Sequence, residues 1–139
     1  MIKEMTTDAE ILATFATMSQ LRPHLKKEEY LETIRRMGRS NGYRLVARFD
    51  DGRAVCVGGF RINECLSYGR HLYIDDLVSD ESGRSHGYGK QVFDWMVETA
   101  KTSGCAQVHL DSGVQRHGAH RFYLRERMDI VFYHFSRKV

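Results

Sequence analysis

Between Asp8 and Gln20 the apolar residues Ile11, Leu12, Phe15 and Ala16 return at helical intervals and predict a first helix. Pro23, the only proline, punctuates the chain. A second helix follows, with Tyr30, Leu31, Ile34 and Met37 on one face and a stop near Gly38. From Gly42 the pattern changes. Tyr43 to Phe49 reads as a strand, Asp50-Asp51-Gly52 as a tight turn, and Ala54 to Ile62 as the returning strand of a hairpin. His71 to Val78 is a further strand. The Gly- and Ser-rich stretch Ser79 to Gly87 then leads into a helix with Val92, Phe93, Met96, Val97 and Ala100 on its buried face, ended by Gly104. Gln107 to Leu110 predicts the next strand and His117 to Glu126 a short helix. Ile130 to Phe135, apolar on both faces, predicts a closing internal strand.

The order is two helices, a hairpin, then strand–loop–helix–strand–helix–strand. That alternation predicts an α/β (α+β) domain, a mixed sheet with helices on both faces. With 139 residues and no linker or repeat, positions 1–139 read as a single domain. A chain of this length buries about two-thirds of its unfolded surface and needs neither metal nor disulfide to hold a core.

Composition changes this picture in two respects. A net charge of +3 is too small to argue for nucleic acid but suits a phosphorylated ligand, and the arginines between Arg35 and Arg48 read as a solvated helix end. The three cysteines, Cys56, Cys65 and Cys105, lie far apart without C-x-x-C spacing, so a reducing cytoplasm is the expected location. The first ten residues lack a signal pattern, and no apolar run reaches membrane-spanning length.

The most informative segment is Arg84-Ser85-His86-Gly87-Tyr88-Gly89-Lys90, between a predicted strand and a predicted helix. Free N–H groups and the helix dipole favour an anion there, and the glycines admit close backbone approach. A Walker A loop fails, because Arg84 stands where a glycine is needed and Gln91 where a Ser or Thr is needed. A dinucleotide fingerprint fails at Val92. R-x-x-G-x-G remains.

That spacing, the two carboxylates in the strand Leu72-Tyr73-Ile74-Asp75-Asp76-Leu77-Val78, and A-x-x-x-Y at Ala119 to Tyr123 together resemble the GNAT superfamily of N-acetyltransferases over roughly Tyr43 to Phe135. The stretch Arg116 to Glu126 is similar to aminoalkylphosphonate N-acetyltransferases, and Tyr73-Ile74-Asp75-Asp76 to diamine and polyamine acetyltransferases. The resemblance implies a mostly antiparallel central sheet of about six to seven strands with four helices. It implies acetyl-CoA as donor, with Arg84, Ser85, His86, Gly87, Tyr88, Gly89 and Lys90 at its pyrophosphate. Backbone amides around Leu77 and Val78 would meet the acetyl carbonyl and pantetheine arm, with Arg116 and Phe122 as further donor-binding positions. Tyr123 would protonate the leaving thiolate. Asp75 would be the base and Asp76 would attract the amine. Adjacent strand residues point to opposite faces, so both acids reach one side only if the strand bulges.

The expected partners are a small amine and, as in many small enzymes of this kind, a second copy in a homodimer; neither nucleic acid nor membrane is expected. Two alternatives stay open: a non-catalytic acyl-CoA sensor, and an acetyltransferase acting on a protein N-terminus or lysine. His117 and His120 stand three apart on a helix but lack a third ligand, so no metal is expected. Cys105 and Trp95 read as packing residues. Where the family places Gly-Phe after the tyrosine helix this chain has Arg127-Met128, so a non-glycine residue must make the turn.

Overall fold

The computed structural model describes residues 1–139. Strand β1 (Ile2–Glu4) precedes helices α1 (Asp8–Ala13), α2 (Phe15–Leu21) and α3 (Lys27–Asn41), then strands β2 (Arg44–Asp50), β3 (Arg53–Cys65) and β4 (Gly69–Ser79). A single 3-10 turn (Glu81–Gly83) leads to α4 (Tyr88–Thr102), β5 (Gln107–Leu110) and α5 (His117–Arg125). The strands form one sheet in the order β1-β2-β3-β4-β5, antiparallel from β1 through β4. The class is as expected, a mixed α/β fold on a mostly antiparallel sheet, with five strands and five α-helices instead of six or seven and four.

The chain divides into two compact units, Met1–His109 and Leu110–Val139. In the first, two adjacent glycines mark the two faces of the sheet. A Cβ on Gly58 would meet Met96 of α4 at 3.1 Å, whereas one on Gly59 would meet the Tyr43 hydroxyl. Helix α4 therefore covers one face, through Val92, Phe93, Met96 and Ala100. The other face carries the main core of Ile11, Met18, Tyr30, Leu45, Val57 and Val78. The predicted first helix breaks at Thr14, whose hydroxyl donates to the Ile11 carbonyl at 2.7 Å and shares a hydrogen bond of 2.8 Å with Tyr30 Oη. Its buried side is Ile11, Thr14, Thr17 and Met18, while Leu12 and Ala16 are exposed. Helix α3 runs past Gly38 to Asn41, and Gly42 caps it in the left-handed region at φ 74°. The hairpin turn holds Asp51 and Gly52 at φ 49° and 74°, as a two-residue turn with positive φ at both positions requires.

In the second unit the turn after α5 is made by Arg127, at φ 66°, with Met128 N–H donating to the Tyr123 carbonyl at 3.0 Å. A non-glycine residue does make that corner. The predicted strand Ile130 to Phe135 is absent: residues 129–139 form neither helix nor strand, and Ile130, Tyr133 and Phe135 are 76%, 88% and 90% exposed. An apolar pattern on both faces reports that a strand suits burial, but it does not say which neighbour buries it.

Candidate active site

The two carboxylates sit at an irregularity of β4. Phe60 pairs with Ile74 and Gly59 with Asp76, so Asp75 is an extra residue on one side of the ladder. Such a bulge breaks the alternation of faces. Ile74 lies opposite Phe60, whose ring packs edge-on to Trp95 of α4, yet both acids turn to the other face. There Asp76 accepts from Tyr43 Oη at 2.6 Å and from Arg22 Nε at 2.9 Å. Asp75 accepts a two-pronged pair from Arg61, Nε to Oδ2 at 2.8 Å and Nη2 to Oδ1 at 2.9 Å. Arg22 also donates to the Asp75 carbonyl at 3.0 Å.

Two acids and two arginines thus share one patch with its charges balanced. Burial and the neighbouring Asp76 push the Tyr43 phenol well above its ordinary pKa, so it stays a proton donor to that carboxylate. Gly59 makes room: a Cβ there would collide with Tyr43 Oη and lie 2.8 Å from Asp76 Oδ2.

Beyond the bulge, Leu77 pairs with Gly58 and Val78 with Val57 on the β3 side. On the other side, β5 begins with Ala106 N–H donating to the Arg70 carbonyl at 3.1 Å. A strand of four residues starting there ends well short of Leu77 in either direction. Backbone groups of Leu77 and Val78 that point away from β3 therefore lie along an unpaired stretch of strand.

The loop after β4 is anchored by Asp80. This buried carboxylate accepts from Gln20 Nε2 at 2.5 Å, from the backbone N–H and hydroxyl of Ser82, and from Arg53 at 3.3 Å. The bonds from Ser82 and Gln20 hold its pKa below the usual range. Arg84 is extended, Ser85 stands at φ 74°, and Gly87 at φ 77° is the residue before α4. No side chain caps the N-terminus of α4, and its first turn holds no acid. The predicted anion loop is therefore the start of a helix that no side chain caps. His86 stacks near Tyr88 at 5.4 Å, and the Tyr88 hydroxyl donates to Asp50 at 3.0 Å. Lys90 pairs with Asp94 at 2.9 Å, along the helix surface. A cleft of about 210 Å³ flanks the loop, lined by Asp50, Arg53, Ser82, Gly83, His86 and Tyr88 among others.

In the C-terminal unit Arg116 is the residue before α5, and Phe122 packs edge-on to Tyr123 at 5.4 Å. Burial raises the Tyr123 phenol above its ordinary pKa, partly opposed by the positive charge of Arg116. The phenol accordingly keeps its proton throughout neutral pH. His117 and His120 stand 6.0 Å apart, His120 is hydrogen-bonded to the Gly113 carbonyl, and no group of three His, Cys, Asp or Glu residues is placed to hold a metal. No helix is long and apolar enough to cross a membrane.

Sequence reasoning did not find Arg22, Arg61, Tyr43 or Asp80. The first three reach the acids from 54, 14 and 33 residues away, and no local spacing signals such a meeting. Asp80 did leave a signal, since a carboxylate two residues before Ser82 at a strand end is a turn-capping pattern.

Residues 9–128 match the model of the Acetyltransferase (GNAT) family. The chain is 36% identical over 124 residues to a Bacillus subtilis (strain 168) protein described as an uncharacterized N-acetyltransferase, YhdJ, covering 88% of this chain and 86% of that one. It is 33% identical over 64 residues to the aminoalkylphosphonate N-acetyltransferase of Salmonella typhimurium, covering 46% of this chain and 42% of that one. Among solved structures, the aminoglycoside N-acetyltransferase AAC(6')-Iy in complex with CoA superposes with a TM-score of 0.84 at 16% identity, over 99% of this chain and 93% of that one.

Proposed function

The chain belongs to the GNAT acetyltransferase family, and on that premise we propose that residues 1–139 form one catalytic domain acetylating a primary amine of a small molecule. The donor is acetyl-CoA, which supplies an activated acetyl thioester. The observation that carries this reading is the uncapped, acid-free start of α4 behind Gly87, one loop away from an unpaired stretch of β4 with two carboxylates at its bulge.

Residues Arg84 to Lys90 hold the donor's pyrophosphate through the helix N–H groups, with Arg84 and Lys90 adding charge. Backbone amides of Leu77 and Val78 receive the pantetheine arm and polarise the acetyl carbonyl, a contribution worth a few kcal/mol when such groups face a developing oxyanion. Arg116 and Phe122 add contacts to the donor. An alkylamine with a pKa of about 10.4 arrives protonated at neutral pH and must lose a proton before its nitrogen attacks the carbonyl carbon. Asp75 takes that proton; because Arg61 already occupies both its oxygens, a bridging water fits better than direct contact. As the C–S bond breaks, Tyr123 donates its proton to the sulfur.

The acceptor itself is bounded by charge. Arg22 and Arg61 balance Asp76 and Asp75, so the patch offers no net negative field to a polycation. A simple amine, or one that carries its own anion, suits it better than a polyamine. The partial likeness to a protein that acetylates aminoalkylphosphonates points the same way. Three free cysteines without a disulfide fit a cytoplasmic location.

The test is incubation with acetyl-CoA and separate pools of aminoalkylphosphonates, amino sugars, polyamines and lysine peptides, following CoA release and product mass. Acetylation in a small-amine pool is expected. Turnover on lysine peptides alone would move the acceptor to proteins. Silence in every pool, with acetyl-CoA still protecting against thermal unfolding, would favour a non-catalytic acyl-CoA sensor.

A further inference from the structure

Helix α2 is tied to the sheet by polar contacts at three places. Thr17 Oγ1 donates to the Ala54 carbonyl at 2.5 Å, at the start of β3. Arg22, the residue that follows the helix, holds the bulge through the Asp76 carboxylate and the Asp75 carbonyl. Between them Gln20 reaches the loop after β4 with both ends of its amide. Its Nε2 donates to Asp80 Oδ1 at 2.5 Å, and its Oε1 accepts the Glu81 N–H at 3.1 Å. One helix end thus holds both ends of the stretch Asp75 to Glu81, which contains Leu77 and Val78.

From Gln20 a chain of contacts runs on to α4. Asp80, 5% exposed, caps the 3-10 turn by accepting the Ser82 N–H, and its carbonyl accepts the Gly83 N–H at 2.9 Å. The Gly83 carbonyl in turn receives the His86 N–H at 3.4 Å and His86 Nδ1–H at 3.0 Å. His86 adjoins Gly87, the residue before α4. Gly83 also lies against Tyr88, the first residue of that helix, whose ring a Cβ would meet at 3.0 Å. Asp80 does not anchor this turn by itself. A buried carboxylate needs donors, and of its partners only Gln20 and Arg53 come from outside the loop. The Arg53 side chain is 68% exposed and stands at 3.3 Å, so Gln20 is the closer tie.

We propose that Gln20 is a positioning residue for donor binding: its amide, carried on the helix whose end also holds the paired acids, fixes the turn that sets the start of α4. The proposal rests on the reading of Arg84 to Lys90 as the seat of the donor's pyrophosphate. An uncharged amide suits the task, because it donates to one neighbour and accepts from the next. An ionised Glu of the same length accepts only.

The affinity of the full-length protein for CoA is measured by titration calorimetry, with hydrogen exchange of the 84–90 amides and a melting curve for each variant. Gln20→Met keeps the length and loses both hydrogen bonds. Gln20→Glu sets a second carboxylate against Asp80. Gln20→Glu with Asp80→Asn restores a donor facing an acceptor, in the reverse direction, and Asn still caps the turn. Thr17→Val removes the tie of α2 that does not reach the loop. In the wild type, CoA should bind and protect the 84–90 amides. Gln20→Met should weaken CoA binding about tenfold and Gln20→Glu further, with the double variant returning to within about threefold of wild type. Thr17→Val should melt lower and bind CoA as the wild type does. Equal affinity in the wild type and Gln20→Met overturns the proposal, as does a double variant no better than Gln20→Glu. So does a loss in Thr17→Val equal to that in Gln20→Met, which would assign the effect to the seating of α2 as a whole. Failure of the wild type to bind CoA, or to protect the 84–90 amides when it binds, would remove the donor seat itself and the role of Gln20 with it.

Discussion

Gly59 is the residue on which the paired acids depend. The Tyr43 hydroxyl that its missing side chain leaves room for is buried and hydrogen-bonded, so it cannot swing into solvent to make space. Gly59→Ala should cost about 1–3 kcal/mol in urea unfolding, as overpacked sites do, and lower turnover of the fraction that remains folded. Unchanged stability would mean that Tyr43 and Asp76 are not held as described. Tyr123 belongs to the same scale. Because its folded pKa is raised, it remains protonated at pH values where an ordinary tyrosine begins to ionise, and a step that needs its proton should decline only above about pH 10. Tyr123→Phe should lower kcat by about 100-fold or more with KM for acetyl-CoA nearly unchanged; equal loss in both would make Tyr123 a binding residue. Asp75, Asp76 and Tyr123 were legible as single residues, since an acid pair in an apolar strand is conspicuous. What surrounds the acids was not, because Arg22, Arg61 and Tyr43 are brought to them by folding alone.

At the scale of elements, local rules did best where the cause is local. Helix α1 starts with a reciprocal cap: Glu10 N–H donates to Thr7 Oγ1 at 3.2 Å, while Glu10 Oε2 accepts from the Thr7 N–H at 3.0 Å. Lys3 and the Thr6 and Thr7 amides hold the Glu10 carboxyl near a pKa of about 2 against an ordinary 4.5. The folded value is depressed, so the stabilisation is fully present above pH 4.5 and is lost as pH falls from 4.5 towards 2. Thermal melts at pH 6 and pH 3 should show a larger drop for the wild type than for Glu10→Gln; equal drops would remove Glu10 from the acid response. Local pattern failed where tertiary partners decide. The break at Thr14 comes from its bond to Tyr30, sixteen residues on. Strands β2 to β4 extend past their apolar runs because the ladder continues through charged residues such as Arg53, Glu64 and Arg70. Strand β1, three residues with two charges, has no apolar pattern and exists by pairing Ile2 with Arg48.

For the whole molecule, the class, the layers and the position of the loop before α4 were all legible from the alternation of elements, because each strand-to-helix switch changes the period of the apolar residues. The predicted closing strand Ile130 to Phe135 does not form for a reason of the same scale: its residues are strand-like, but a strand exists only beside another. The bulge carries a consequence for how this chain tolerates insertions and deletions. Removing a residue from the middle of a central strand normally turns everything beyond it to the wrong face. Here Ile74 already lies on the α4 face and Asp76 on the opposite one, so deleting Asp75 leaves two neighbours that alternate properly. The shortened chain should fold with an uninterrupted β3–β4 ladder, melting no lower than the parent, while Arg61 loses its carboxylate and acetyl transfer is lost. A deletant that failed to fold would show instead that the supernumerary residue is structural. The one-codon difference between a regular sheet and a working one would then lie at position 75, where a gain in order is a loss of chemistry.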